Sequence, residues 1–440
     1  MKTQPIAIAT LMVLFLTSLT GRAELKPGET ESFRWGGDLR IRATQIHRNT
    51  FSPDGVIPAG SDVQWLRFRE RLWLSYDFSQ DLRFDLRLAH RWHYVNSHFL
   101  DPKNQDTVTW KFPDEVIFDQ LKLTWEQVAD LPLTLTLGRQ DVILGNGMIV
   151  LEGTAYDQGR GIYFDGVRAT WMEGDDKLDL FGFYSRQTDD FWVINDRNRI
   201  LRRGDTLLAG IYWTHSFDQS FNTDLYYMFN DIQDDLVIGD DVRLHIFGGR
   251  LFGQPHDLLD YSAELAGQRG SLRQSDRDMR GYMADLRLDY RLPGELPLQP
   301  RMKAQYTFMR GDDRERATYT GWHPVAAEYP IWREELMPIA TRGNWTNLNQ
   351  YRVEGILQLH DQVTLTGAWA YLRADTTAGY TDPFGGQRGR TMGQLYSGFV
   401  DFTPAANWAI RLEAAALRPG DYYADDTTAH WLRLETYFRF

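Results

Sequence analysis

Arginine dominates the positions at which this chain could do chemistry. Arg67, Arg69 and Arg71 recur at every second residue, as do Arg40 and Arg42, and Arg83, Arg87 and Arg91 share one parity. A guanidinium stays charged at every physiological pH and forks onto a carboxylate through two parallel N–H groups. At spacing two on an extended strand, such residues share one face. That face could attract and guide anionic solutes. Lys122, Arg168, Arg301, Lys303, Arg433 and Arg439 fall at positions that could extend it. Asp38, Asp85, Glu126 and Glu435 are mixed in, so part of the ladder is expected to pair internally and stiffen a wall, contributing little net field.

Other chemistries find less support. The chain has no cysteine, which removes disulfides, thiolate metal sites and thiol nucleophiles. His90 and His93 fall on opposite faces of one strand and cannot chelate together. With His98 they are read as interface or loop packing. The Asp-Asp pairs at 175–176, 234–235, 312–313 and 425–426 read as solvated turns before they read as calcium sites. No phosphate loop, G-x-S-x-G elbow or H-E-x-x-H motif occurs. No cofactor, metal or catalytic residue is expected, and the chain is not read as an enzyme. The net charge of −12 argues against a nucleic-acid partner.

The elements that carry these arginines alternate. Leu82, Phe84, Leu86 and Leu88 interleave with Arg83, Asp85 and Arg87; Met302, Ala304, Tyr306 and Phe308 interleave with Arg301, Lys303, Gln305 and Thr307. Period two marks strands with one apolar and one polar face. Candidate strands lie near 33–44, 64–78, 81–95, 116–126, 132–142, 162–172, 177–186, 206–217 and 221–231. Nine more lie near 242–251, 258–267, 280–291, 300–310, 347–360, 362–373, 391–402, 407–418 and 430–439. Connections are mostly short then long in turn, and aromatic residues make up 14% of the chain although mean hydropathy is only −0.46. Short turns on one side, long loops on the other and aromatic girdles belong to outer-membrane barrels.

In hydrocarbon an open sheet edge leaves N–H and C=O groups unpaired at several kcal/mol each, so the sheet must close. The prediction is an all-β fold, a transmembrane antiparallel β-barrel of about eighteen strands with both termini periplasmic. The ionic face then lines the lumen. Residues 1–23 read as a signal peptide: Lys2, an apolar run from Ile6 to Leu16, then Gly21-Arg22-Ala23. Residues 24–440 form one domain, placed in the bacterial outer membrane.

The run Leu137-Gly138-Arg139-Gln140-Asp141, then Gly145-Asn146-Gly147, Arg160 and Phe164-Asp165-Gly166-Val167-Arg168, resembles the signature of the alginate-export family of outer-membrane barrels. Trp322-His323-Pro324, Tyr329–Leu336 and Asn344–Leu348 look like a long-loop pattern in that family. The resemblance implies an eighteen-stranded, porin-like barrel with a basic constriction that exports an anionic exopolysaccharide. Arg139, Asp165 and Arg168 match the signature. Alternation alone adds Arg40, Arg42, Arg67, Arg69, Arg71, Arg87, Lys122 and Arg433 as pore-lining candidates. The expected partners are an anionic polysaccharide of uronic-acid type or small anionic solutes, outer-membrane lipid, and periplasmic components of a polysaccharide synthesis and export complex. The competing reading is a general or nutrient-uptake porin for small anions. A barrel enzyme or an adhesin is a weaker alternative.

Overall fold

The structure is a computed structural model. It describes residues 32–47, 63–95, 110–151, 163–189, 192–195, 200–294, 296–327, 333, 336–337, 345–378, 389–423 and 427–440. The expected signal peptide, His98 and Arg160 lie outside the described residues. Strands β1 (Phe33–His47), β2 (Val63–Asp77), β3 (Leu82–Val95), β4 (Trp110–Trp125) and β5 (Leu133–Gln140) come first. Then come β6 (Phe164–Glu173), β7 (Asp176–Ser185), a four-residue β8 (Trp192–Asn195), β9 (Asp205–Ser216) and β10 (Asn222–Asp235). β11 (Asp240–His256), β12 (Leu259–Leu272), β13 (Arg277–Arg291), β14 (Arg301–Met309) and β15 (Leu348–His360) follow. β16 (Val363–Arg373), β17 (Thr391–Ala405), β18 (Trp408–Pro419) and β19 (Ala429–Arg439) complete the order.

Setting β8 aside, each strand pairs antiparallel with its chain neighbours, β7 passing to β9, and β19 returns to β1. Eighteen strands therefore close a ring, and each of the eighteen expected spans is present. The largest boundary shift is the start of β4, at Trp110 and not near residue 116. At the closing seam Gly37 and Phe440 exchange two backbone hydrogen bonds of 3.0 Å. A Cβ on Gly37 would lie 2.5 Å from the Phe440 ring and 2.8 Å from the Arg71 carbonyl oxygen, which accounts for the glycine at the seam.

The outward face is apolar and open: Leu72, Leu265 and Met302 are each more than half exposed. Water would not tolerate such a continuous face, but acyl chains do. Two aromatic rows bound it. Tyr227, Phe247 and Tyr282 lie toward the long-loop end, and Tyr261 and Tyr290 toward the other end. Tyr282 and Tyr290 are eight residues apart on one strand. At ~3.3 Å per residue and a tilt near 40°, that is roughly 20 Å of height, close to the ~25 Å apolar band of outer-membrane barrels.

The inward face is not uniformly polar. Toward the long-loop end it carries Leu208, Met228, Val242, Leu244, Met279, Leu348, Leu372 and Leu417. These pack against two connections folded into the ring. One is the β5–β6 connection with Val142, Leu144 and Met148–Val150; the other is the β14–β15 connection with Trp322, Val325, Ala326, Leu336 and Met337. The two connections meet each other through backbone bonds, Leu151 N–H to Ala326 O at 3.2 Å and Ala326 N–H to Ile149 O at 3.0 Å. Each of these large side chains gains ~1.5–3 kcal/mol from leaving water. An eighteen-stranded ring is too wide for wall side chains to fill; inserted segments do the filling at this end. Toward the terminal end the lumen remains charged.

Candidate functional site

The lumen is lined by ion pairs in which acids are shared. On β19, β1, β2 and β3 the inward register holds Arg433, Arg40, Arg42, Arg67, Arg69, Arg71 and Arg87 against few carboxylates. Asp38 on β1 accepts from Arg69 at 3.2 Å and Arg71 at 2.8 Å. Glu435 on β19 accepts from Arg42 Nε at 2.8 Å and Arg411 at 3.1 Å, with Arg40 at 3.9 Å. Asp119, at a bulge in β4, pairs with Arg87 and lies 3.8 Å from Arg71, while Arg87 also reaches Asp141 at 2.9 Å. Arg433 pairs with Glu413 at 3.2 Å and stacks over Trp431; Arg67 stacks over Trp65. Lys122 stands 3.8 Å from Asp85, and Arg168 bonds Asp179 at 2.9 Å. In these contacts six guanidiniums, of Arg40, Arg42, Arg69, Arg71, Arg87 and Arg411, share four carboxylates, of Asp38, Asp119, Asp141 and Glu435. Arg40, Arg42, Arg69 and Arg433 are nevertheless buried, so they support the wall more than they face open water.

Arg139 and Asp165 lie elsewhere. They pair with each other two positions along from the outward-facing pair Leu137 and Val167, so by alternation they fall on that face and not on the face of Arg168. β5 ends at Gln140, and above it β4 pairs instead with β8. Arg139 plugs the junction: it binds Asp165 through two bonds of 2.7 Å, Asp189 at 3.0 and 3.1 Å, and the Phe118 carbonyl at 3.0 Å. Gly138 before it has φ +106°, and a Cβ there would sit 2.3 Å from the Leu121 carbonyl oxygen, which accounts for the glycine. The Gly145-Asn146-Gly147 run is a docking point. Asn146 donates to Ser262 at 2.8 Å and accepts from Arg250 at 3.0 Å. Arg250 in turn bonds Asp224, which also takes the Tyr212 hydroxyl at 2.6 Å.

One cavity among the described residues lies along β13–β17 near the terminal end. It has a volume of about 720 Å³ and is lined by Arg291, Arg301, Lys303, Arg333 and Glu354, with Thr364, Thr366 and Phe399 among its other walls. Arg301 and Lys303 share Asp289 and remain more than a third exposed. Arg333 belongs to the inserted β14–β15 connection. It grips the wall through Asp401 at 3.0 and 3.1 Å and Glu413 at 2.6 Å, lying over Phe399 at 4.3 Å. Burial opposes its charge, but the two carboxylates outweigh burial and hold its pKa above the ordinary value. In the same connection His323 bonds Asp235 at 2.9 Å, and complete burial holds its imidazole below the ordinary value against that pull. His90, outward on β3, bonds Glu70 at 2.6 Å. Among the described residues no His, Asp and Glu cluster has metal-site geometry.

Arg250 was not singled out from sequence, and Arg333 entered only as part of the Tyr329–Leu336 pattern, with no role of its own. An apolar run such as Met148-Ile149-Val150-Leu151 inside a supposedly solvated loop is the signal that the loop is buried.

A family model described as alginate export matches residues 98–434. No curated protein sequence matches. Among solved structures, the chain resembles Pseudomonas aeruginosa OccK7 (OpdD) with a TM-score of 0.55 and 13% identity over 93% of this chain and 99% of that one. It resembles OpdK of the same organism, solved with vanillate, with a TM-score of 0.57 and 13% identity over 92% and 98%. OccK2 (OpdF), solved in complex with glucuronate, gives 0.55 and 13% over 92% and 97%. At these identities the likeness is one of fold.

Proposed function

Since the chain belongs to the alginate-export family of outer-membrane β-barrel channels, we propose that it passes carboxylate-bearing saccharides, an alginate-like uronate polymer first among them, through its basic lumen. Export is passive: the barrel supplies a path and a field, and synthesis behind it supplies direction. The termini face the periplasm, where components of a polysaccharide synthesis and export complex deliver the polymer, and the long loops face outward. The observation that carries this reading is the cavity, whose wall presents Arg291, Arg301, Lys303 and Arg333 beside Glu354, with their partner carboxylates Asp260, Asp289, Asp401 and Glu413 outside its lining. Its volume lies within the ~300–1,000 Å³ of ordinary ligand sites. Fixed cations in a narrow low-dielectric passage focus potential and raise the local concentration of anions. The shared-acid wall with Arg67, Arg69 and Arg71 adds to that field.

A second reading is uptake of small anionic solutes. The inserted apolar core favours it, because that core narrows the route at the long-loop end. Planar-bilayer recording separates the readings. Anion-selective reversal potentials are expected, weakened by Arg301→Glu with Lys303→Glu and by Arg67, Arg69 and Arg71 changed to Glu. Blockade by uronate oligomers at lower concentration than by glucuronate supports polymer export. The opposite order supports uptake, and cation selectivity refutes both.

A further inference from the structure

The outward face of β11–β13 carries a basic row just beyond the aromatic row at the long-loop end. His245, Arg269 and Arg280 are direct cross-strand neighbours, and all three are exposed. They stand two residues past Phe247, Gly267 and Tyr282, so one pleat beyond the apolar band. Arg243 lies one pleat further on, and Arg310 stacks over Tyr282 at 4.9 Å from the same side. An arginine at the midplane of the lipid face costs ~2–4 kcal/mol, falling toward zero at the interface. These residues therefore sit at headgroup level, where a charge is tolerated and can reach a polar head.

The row is unbalanced within the protein. Arg269 and Arg280 face each other directly, and like charges in that position destabilise a sheet. Among the described residues Arg269 has no ion-pair partner. Arg280 has only the exposed Asp278 at 3.6 Å. Arg243 is satisfied by Asp231 at 2.8 Å. An external anion held between Arg269 and Arg280 would remove the repulsion, and a phosphate suits the guanidinium fork.

We propose that His245, Arg269 and Arg280 form a binding site for the phosphate groups of an outer-leaflet glycolipid headgroup. The choice of leaflet rests on the orientation given under Proposed function. The acyl chains would lie down the exposed Phe247, Leu265 and Leu286 below the row.

Native mass spectrometry of the full barrel tests this, with bisphosphorylated lipid A, its dephosphorylated form and inorganic phosphate as probes. Wild type should retain the bisphosphorylated lipid at least tenfold more strongly than the dephosphorylated one. Arg269→Gln with Arg280→Gln should lose that preference. Arg373→Gln, exposed at the long-loop end of β16, should keep it. Equal retention by wild type and the double variant overturns the proposal, and so does displacement of the lipid by inorganic phosphate at matched concentration. If the double variant does not form a heat-resistant barrel, Arg269→Gln alone carries the test, since that side chain has no ion pair to lose. Because the row lies outside the ring, anion conductance should be unchanged in these variants, so failure here and failure of the transport reading are separable.

Discussion

Replacing Arg333 by Met should loosen the inserted β14–β15 connection from the wall. The perturbation removes the bonds to Asp401 and Glu413 while keeping an unbranched chain over Phe399. Breaking a buried ion pair usually costs ~3–5 kcal/mol, because a charge is left stranded. Here neither carboxylate is stranded: Asp401 keeps Arg411 at 3.1 Å, and Glu413 keeps Arg433 at 3.2 Å. The loss is then the charge-assisted bonds alone, about 1.5–3 kcal/mol. That corresponds to roughly a 10- to 150-fold rise in the ratio of displaced to seated segment. Single-channel recording reads this as a larger fraction of time in the highest conductance level. Arg333→Lys keeps the charge and loses the fork, so it should open the channel with less loss of anion selectivity than Met. The same open fraction and conductance for Arg333→Met and wild type would refute the idea that this residue latches the segment.

Three further outcomes follow from the geometry. Arg139→Gln should remove the guanidinium that bridges Asp165 and Asp189 and lower stability by ~1.5–3 kcal/mol, read as an earlier thermal loss of the heat-resistant band on gels. Asn146→Ala removes the bonds to Ser262 and Arg250 and should cost ~1–3 kcal/mol, with protease nicking in the β5–β6 connection as its signature. Acidification should release the His323 segment. Once displaced, the imidazole binds a proton near its ordinary 6.5; seated against Asp235 with Arg203 nearby, it resists. The seated form thus loses stability as pH falls below about 6.5 and is indifferent above it, which a red shift of Trp322 fluorescence between pH 8 and 5 would report; no shift, or the same shift in His323→Gln, counts against it.

The ring was legible because closure and alternation are local rules that every strand obeys. Leu82–Arg87 and Met302–Phe308 announce a two-faced strand with no help from distant residues. β8 escaped because four residues carry no period, and its partner on β4 is set by where β5 stops. The lumen was legible only by half. Alternation assigns Arg69 or Arg301 to a face, but not whether that face meets water, another side chain or an inserted loop. That depends on contacts such as Arg333 with Asp401, which lie 68 residues apart. Arg139 and Asp165 carry the family signature and fall by alternation on the face of Leu137 and Val167. Gly138 and the strand handover explain their placement, and neither has a periodic trace.

The apolar segments stored inside the ring also dictate an order of assembly. Trp322, Val325 and Leu336 belong to one buried cluster with wall residues on both sides of the closing seam, from Ile46 on β1 to Trp431 on β19, which stand together only after β19 has met β1. Until then these side chains have no dry place to go, and contacts between such distant residues form slowly. Lumen filling must be the last act of maturation. A newly closed barrel would pass through a stage at which these loops are still wet, with their apolar side chains open to solvent.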